Sequence, residues 1–298
     1  MRHVRPTRTR VVTTATAVLL ALGMTGATVA SAQPCSPGRN HLVVTAGATG
    51  FRVAGHLDGG LATIRFTNDT DVVHVFDLYR LVPGATLETF LAAARAGDFE
   101  ALQAMMADGG PGNGNPALVS PHQTAVATGD GLRPGTYVAV DGLPGADGVP
   151  NYLEGFATTI TVGAGANPDR APVDEGEVVI DDQAVHLPAA ILDGHGTFAV
   201  RYAGARPHEF QLLRLHGDAT VAQAWAYWSA RFNGENPPGD PPADFVGGLA
   251  DLRPGVHGWV TIDLPPGRYG VWSVTDGDFT DIYAGVVTTF TVQPGTAR

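Results

Sequence analysis

Two imidazoles stand at the head of the same eight-residue segment, written once as His74-Val-Phe-Asp-Leu-Tyr-Arg-Leu81 and again as His208-Glu-Phe-Gln-Leu-Leu-Arg-Leu215. Histidine is the side chain best suited to metal ligation and proton transfer near neutral pH, so His74 and His208 are the first residues to ask for chemistry. A second imidazole in each half, His122 or His257, would let each bind Zn²⁺ or Cu²⁺ without sulfur. The plainer alternative is a hydrogen-bonded histidine closing the end of a β-sandwich. Asp276, Asp278 and Asp281 place three carboxylates in one loop, the hard-oxygen set that Ca²⁺ prefers, although the loop has neither the length nor the glutamate of an EF-hand and reads better as a solvated turn.

Other reactive chemistry lacks a pattern. The sequence has no Gly-x-Ser-x-Gly, no His-Glu-x-x-His, no phosphate loop and no lysine. The neighbouring acids Asp181 and Asp182, and Glu175 and Glu177, sit near strand starts, and their spacing does not place them across a cleft. No residue is therefore given a catalytic role. Cys35 is the single cysteine, so no disulfide can form within the chain. Trp225, Tyr227 and Trp228 fall within four residues. If exposed, Trp225 and Trp228 would offer flat apolar faces to a polysaccharide; at helical spacing they would instead pack against a sheet or the other half of the chain.

The elements that must carry these residues are mostly strands. Leu61 to Thr67 alternates apolar and polar residues, the turn Asn68 to Asp71 follows, and the His74 segment comes next; Thr197 to Tyr202, a turn and the His208 segment repeat that order. Both halves then carry a helical insert, Leu87 to Met106 and Thr220 to Phe232, followed by a Leu-x-Pro-Gly-x-Tyr signal (Leu132 to Tyr137, Leu264 to Tyr269) and a closing strand. The copies of the histidine lie 134 residues apart, a domain duplication and not a solenoid repeat. The expected fold is all-β: two tandem Greek-key β-sandwich domains over 41–163 and 176–293, each with a short helical insert, joined by a linker at 164–175.

Residues 1–32 read as a cleaved secretory signal: Arg2, Arg5, Arg8 and Arg10 precede an apolar run, and Ala30-Ser31-Ala32 has small-x-small form. A polar tail, 33–40, would follow. Cleavage leaves 14 arginines against 29 acids. That balance argues against nucleic acid and anionic membrane as partners, and the expected destination is extracellular with no membrane span.

The order of elements, with a histidine ahead of its strand, a variable insert, Leu-x-Pro-Gly-x-Tyr and a terminal strand, resembles the cupredoxin (plastocyanin-like) family. The resemblance covers nearly all of the mature chain. It implies that His74 and His208 stand at the first copper-ligand position. It places the family's cysteine, second histidine and methionine positions at Asp141, Asn151 and Phe156 in the first half and at Ser273, Asp281 and Val286 in the second. A type 1 copper centre needs the thiolate, and neither half has it. The expectation is a secreted protein without type 1 copper that acts as a non-catalytic binding or structural module, with polysaccharide or another secreted protein as candidate partner. The alternative is an extracellular, non-redox copper- or zinc-binding protein that uses the retained histidines. Arg80 and Arg214, repeated in both halves, would pair with acids across the domain interface.

Overall fold

Alternating side chains build the first layer. In β1 (His41–Gly47) and β3 (Gly60–Asn68), Leu42, Val44 and Ala46 and then Ala62, Ile64 and Phe66 turn inward and are buried, while intervening residues face out. These strands pair in parallel, and β3 also pairs antiparallel with β5 (Thr124–Leu132). The second layer is β4 (Asp77–Arg80), β6 (Gly135–Val140) and β7 (Ala157–Gly163). A single strand, β2 (Gly50–Asp58), belongs to both: it pairs with β1 along residues 50–56 and with β7 at Leu57 and Asp58. It turns between layers at Gly55, whose φ of 117° favours glycine and where any side chain would meet the carbonyl of His41. Phe66, Phe76, Leu78 and Tyr137 fill the space between the layers.

The second half repeats the plan. β8 (Glu177–Ile180), β9 (Val185–His186), β10 (His195–Tyr202) and β13 (Gly258–Asp263) form one layer; β11 (Phe210–Leu215), β12 (Ala243–Leu249), β14 (Gly267–Trp272) and β15 (Val287–Val292) form the other. Both Leu-x-Pro-Gly-x-Tyr signals act alike. The buried Tyr137 hydroxyl donates to the carbonyl of Arg133 at 2.9 Å and that of Tyr269 to Pro265 at 2.6 Å, each four residues back, which closes the turn between two strands. Burial raises the Tyr269 phenol above its ordinary pKa, and nearby Arg214 opposes this.

The helical inserts cover outer faces of the sandwiches. The first was expected as one helix over Leu87 to Met106. It is two, α1 (Leu87–Ala96) and α2 (Phe99–Met105), because Gly97 takes the left-handed conformation (φ 65°) that ends the first and Asp98 caps the second through the Ala101 amide. The break also leaves Phe99, at the start of the second, 73% exposed. The second insert is one helix, α3 (Val221–Phe232), started by a capping box between Thr220 and Gln223.

The computed structural model describes residues 40–108, 112–145, 147–165, 169–204, 208–250, 252, 255–273 and 286–294. The expected signal segment, Cys35 and the carboxylates Asp276, Asp278 and Asp281 lie outside them. No helix among the described residues is long and apolar enough to cross a membrane.

The halves share hydrogen bonds as well as side-chain packing. β5 of the first pairs antiparallel with β13 of the second, Ala127 opposite Val260 and Thr128 opposite Trp259, so one eleven-stranded sheet runs through both. Aligning Leu132 on Leu264 makes Ala127 the counterpart of Trp259 and Thr128 that of Val260. The junction is therefore self-complementary about its midpoint, as in a two-fold dimer. A second contact joins the other layer: Asn113, Pro116 and Val119 bridge to Leu252, Leu249 and Val246. The buried Gln211 accepts from the Leu118 amide at 2.9 Å and donates to the Gly247 carbonyl at 2.8 Å.

Candidate functional site

His74 lies three residues ahead of β4, held by reciprocal backbone bonds to Val119 of 3.1 and 2.9 Å. Its side chain is fully buried. Asp141 emerges at the end of β6, and its Oδ2 stands 2.5 Å from His74 Nδ1. The same carboxylate accepts from the Leu143 amide at 2.9 Å and the Asn151 side-chain amide at 3.0 Å. With its oxygens already serving as acceptors, the imidazole is the donor, which assigns the proton to Nδ1. Asn151 opens a 3₁₀ turn, Asn151–Glu154, that ends at Gly155; Phe156 follows, its ring stacked on the imidazole at 4.2 Å. All four positions named by the cupredoxin resemblance in the first half thus meet at one point.

In the second half His208 Nδ1 lies 2.9 Å from Ser273 Oγ, the residue at the cysteine position. The Ser273 amide donates to the carbonyl of Val286 at 3.0 Å, as the Asp141 amide does to Phe156 at 3.0 Å, so Asp141 and Ser273 occupy equivalent places. Asp281 lies outside the described residues. The histidines differ at the second nitrogen. His208 Nε2 is 3.0 Å from Asp182 Oδ1, whereas His74 Nε2 is buried with no hydrogen-bond partner.

These geometries bear on metal binding. Two donors on one tetrahedral ion, each about 2.1 Å from it, lie about 3.4 Å apart. The 2.5 Å between His74 and Asp141 is a hydrogen-bond distance, shorter than that separation. The second imidazoles turn elsewhere: His122 Nε2 faces Asp71 at 3.3 Å and His257 Nδ1 faces Asp130 at 2.8 Å, and both rings are solvent-exposed. No cluster of three or more His, Cys, Asp or Glu side chains able to share an ion occurs among the described residues.

Trp225 and Trp228 do not form the open platform that a polysaccharide site would need. They are 5% and 6% exposed. Trp225 meets Trp272 edge-on at 5.5 Å, Trp228 lies 4.9 Å from Phe245, and Val73, Leu118 and Leu143 of the first half pack into the same cluster. The helix turns its apolar face to its own sheet and to the neighbouring half at once, and both indoles are spent on packing. Arg80 also departs from expectation. It forms a two-pronged pair with Asp108 (2.7 and 2.9 Å) inside the first half, which holds its guanidinium pKa above the usual value. Arg214 lies with Arg65, Thr124 and Asp263 along a cleft between the halves.

Three residues at the sites carried no warning in the sequence. Asp182 was visible only as half of an acidic pair, and nothing linked it to His208. Arg231 and Phe232, at the end of α3, reach a cavity of about 300 Å³ that His74, Asn151 and Phe156 line from the other side.

Solved structures similar to this chain include auracyanin A, a "blue" copper protein from the photosynthetic bacterium Chloroflexus aurantiacus (19% identity over 41% of this chain and 98% of that one, TM-score 0.28). Dithionite-reduced auracyanin from Roseiflexus castenholzii matches at 17% identity over 43% and 98% of the chains, with a TM-score of 0.28. A blue copper oxidase from Nitrosomonas europaea matches at 12% identity over 84% of each chain, with a TM-score of 0.23. Neither a protein-family model nor a characterised protein matches the sequence.

Proposed function

We propose that this is a secreted, two-repeat cupredoxin-like protein that works without type 1 copper, as a non-catalytic binding module. The observation that supports it is the His74–Asp141 contact: the first-ligand imidazole is joined by a 2.5 Å hydrogen bond to the carboxylate at the thiolate position. Type 1 copper does not fit the residues present. The thiolate that sets its geometry and potential is replaced by a carboxylate and a hydroxyl, the second imidazole of the first half by an amide, and the thioether positions by Phe156 and Val286. A proton bridges donor and acceptor where the family would hold an ion.

A second reading is favoured by one contact. Asp182, partly exposed, sets a carboxylate beside His208 Nε2 at 3.0 Å; the two would have to give up that hydrogen bond and move apart to share a zinc or copper ion without sulfur.

Both readings meet in one experiment: metal analysis of protein purified without chelator, then calorimetric titration with Cu²⁺ and Zn²⁺, beside His74→Ala and His208→Ala. The proposal expects no co-purified metal and no binding tighter than about micromolar. Stoichiometric copper lost in His74→Ala would overturn it. Stoichiometric zinc or copper lost only in His208→Ala would replace it with the second reading.

A further inference from the structure

In a chain with 29 acids an arginine readily finds a carboxylate, and Arg52, Arg80, Arg133 and Arg201 each pair with one. Arg65 and Arg214 do not. Neither side chain makes a hydrogen bond or ion pair with a described residue, although Arg214 is the counterpart of Arg80, which Asp108 holds through two bonds. Both line one cleft of about 310 Å³ at the junction of the repeats, the small end of the range for ligand sites. The strand register lays out its floor. Arg65 stands opposite Val126 and Val126 opposite Thr261, so the three share one face of the joined sheet, and the backbones of Arg65 and Thr261 lie two strand spacings, about 10 Å, apart. Thr124 and Asp263, each two residues along its strand from Val126 and Thr261, take the same face. Arg214 and Val246 reach the cleft from the other layer of the second repeat.

We propose that this cleft binds a sugar acid, a pyranose ring that carries a carboxylate, as in a uronate. The guanidinium forks of Arg65 and Arg214 match the carboxylate. The Asp263 carboxylate and the Gln123 side-chain amide, which likewise make no bond with a described residue, supply acceptors and donors for ring hydroxyls. Two hydroxyls complete the polar lining: Thr124 is bonded to Thr67 at 3.0 Å and Thr261 to Thr197 at 2.9 Å, and each keeps acceptor capacity to spare. Val126, Val246 and Pro265 give apolar surface for the C–H face of the ring. A bare anion would use only the arginines and be repelled by Asp263, whereas a neutral sugar would leave both guanidiniums unmatched. All the polar side chains of this lining are half-buried or exposed, so a ligand meets them from solvent. The cleft shares no residue with the histidine sites, and the inference stands independently of the copper-free reading.

The probes are glucuronate, glucose, which lacks the carboxylate, and acetate, which lacks the ring. Each is titrated into the full chain in the presence of chelator and followed by NMR at the arginine Nε–H groups. Glucuronate is expected to bind at one per chain and at least about tenfold more tightly than glucose or acetate. Arg65→Gln and Arg214→Gln should each weaken it by about tenfold, and Asp263→Asn should weaken glucuronate while leaving acetate no weaker. A glucuronate trimer separates the sources: tighter binding than the monomer marks a polysaccharide, and equal or weaker binding a free sugar acid. No glucuronate binding up to about 10 millimolar, acetate binding as well as glucuronate, or an unchanged affinity in both arginine variants would each overturn the proposal. Tighter glucuronate binding in Asp263→Asn would overturn it too, since the cleft would then be a site for anions alone. Stoichiometric copper in the same samples would sink the copper-free reading and leave this inference standing, whereas a copper-free protein that ignores glucuronate would sink only this inference.

Discussion

A metal centre and a hydrogen-bonded pair can be built from one scaffold because both bring polar side chains of distant strands to a common point. They differ in what fills the gap between donors. At His74 the imidazole and the Asp141 carboxylate are 2.5 Å apart, and Asp141 accepts from Leu143 and Asn151 as well. Three polar groups thus depend on one buried carboxylate. Asp141→Ala would strand all of them and is expected to cost about 3 kcal/mol or more of stability, while Asp141→Asn, which keeps one acceptor oxygen, costs less. Ser273→Ala strands only His208 Nδ1, since Asp182 still holds Nε2, and about 1 kcal/mol is expected. Urea denaturation of the three variants gives the ranking; Ser273→Ala proving as costly as Asp141→Ala would contradict it.

Helix α3 joins the fold to the candidate site. Its inner face buries Val221, Ala224, Trp225 and Trp228, and its last turn carries Arg231 and Phe232 to the cavity. Trp228 serves the core in two ways, since its ring packs on Phe245 and Phe232 and its Nε1 donates to the Ala243 carbonyl at 3.1 Å. Trp228→Ala should cost about 3–5 kcal/mol and is expected to lower the thermal midpoint sharply; a loss below about 1 kcal/mol would mean that the indole is not core. Helical spacing made this helix legible in the sequence. The repeated strand order, the histidine position and the tyrosine turns were legible for the same reason, since each is a local pattern. The split of the first insert was less so, because a glycine inside an apolar period reads as a tolerated interruption until its backbone is seen in the left-handed region. Asp182 was not legible as a partner of His208, for alternation tells which face a residue takes and not which neighbouring loop will meet it.

At the level of the whole chain, the expectation of two sandwiches joined by a linker understates their contact. β5 and β13 would each be an exposed edge if the halves stood apart, and the shared sheet covers both. Gln211 adds part-buried hydrogen bonds to the first half that water would have to replace on separation. The two repeats are therefore expected to unfold in one cooperative transition, with circular dichroism and tryptophan fluorescence coincident. The tryptophans sharpen this test because all four lie in the second repeat and three of them, Trp225, Trp228 and Trp259, lie at its junction with the first, so fluorescence reports that half and the junction. A fluorescence transition separated from the loss of strand signal would contradict the account. Expressed alone, either half should associate through its uncovered edge.

The proposal that a proton, and no copper ion, lies between His74 and Asp141 is tested most directly by nitrogen-15 NMR of the histidine rings in metal-free protein. His74 is expected as the Nδ1–H tautomer with a far-downfield ring proton, and that signal should vanish in Asp141→Ala while His208 keeps its own. Finding the proton on Nε2 of His74, or finding the His74 signals erased by one equivalent of Cu²⁺, would contradict it.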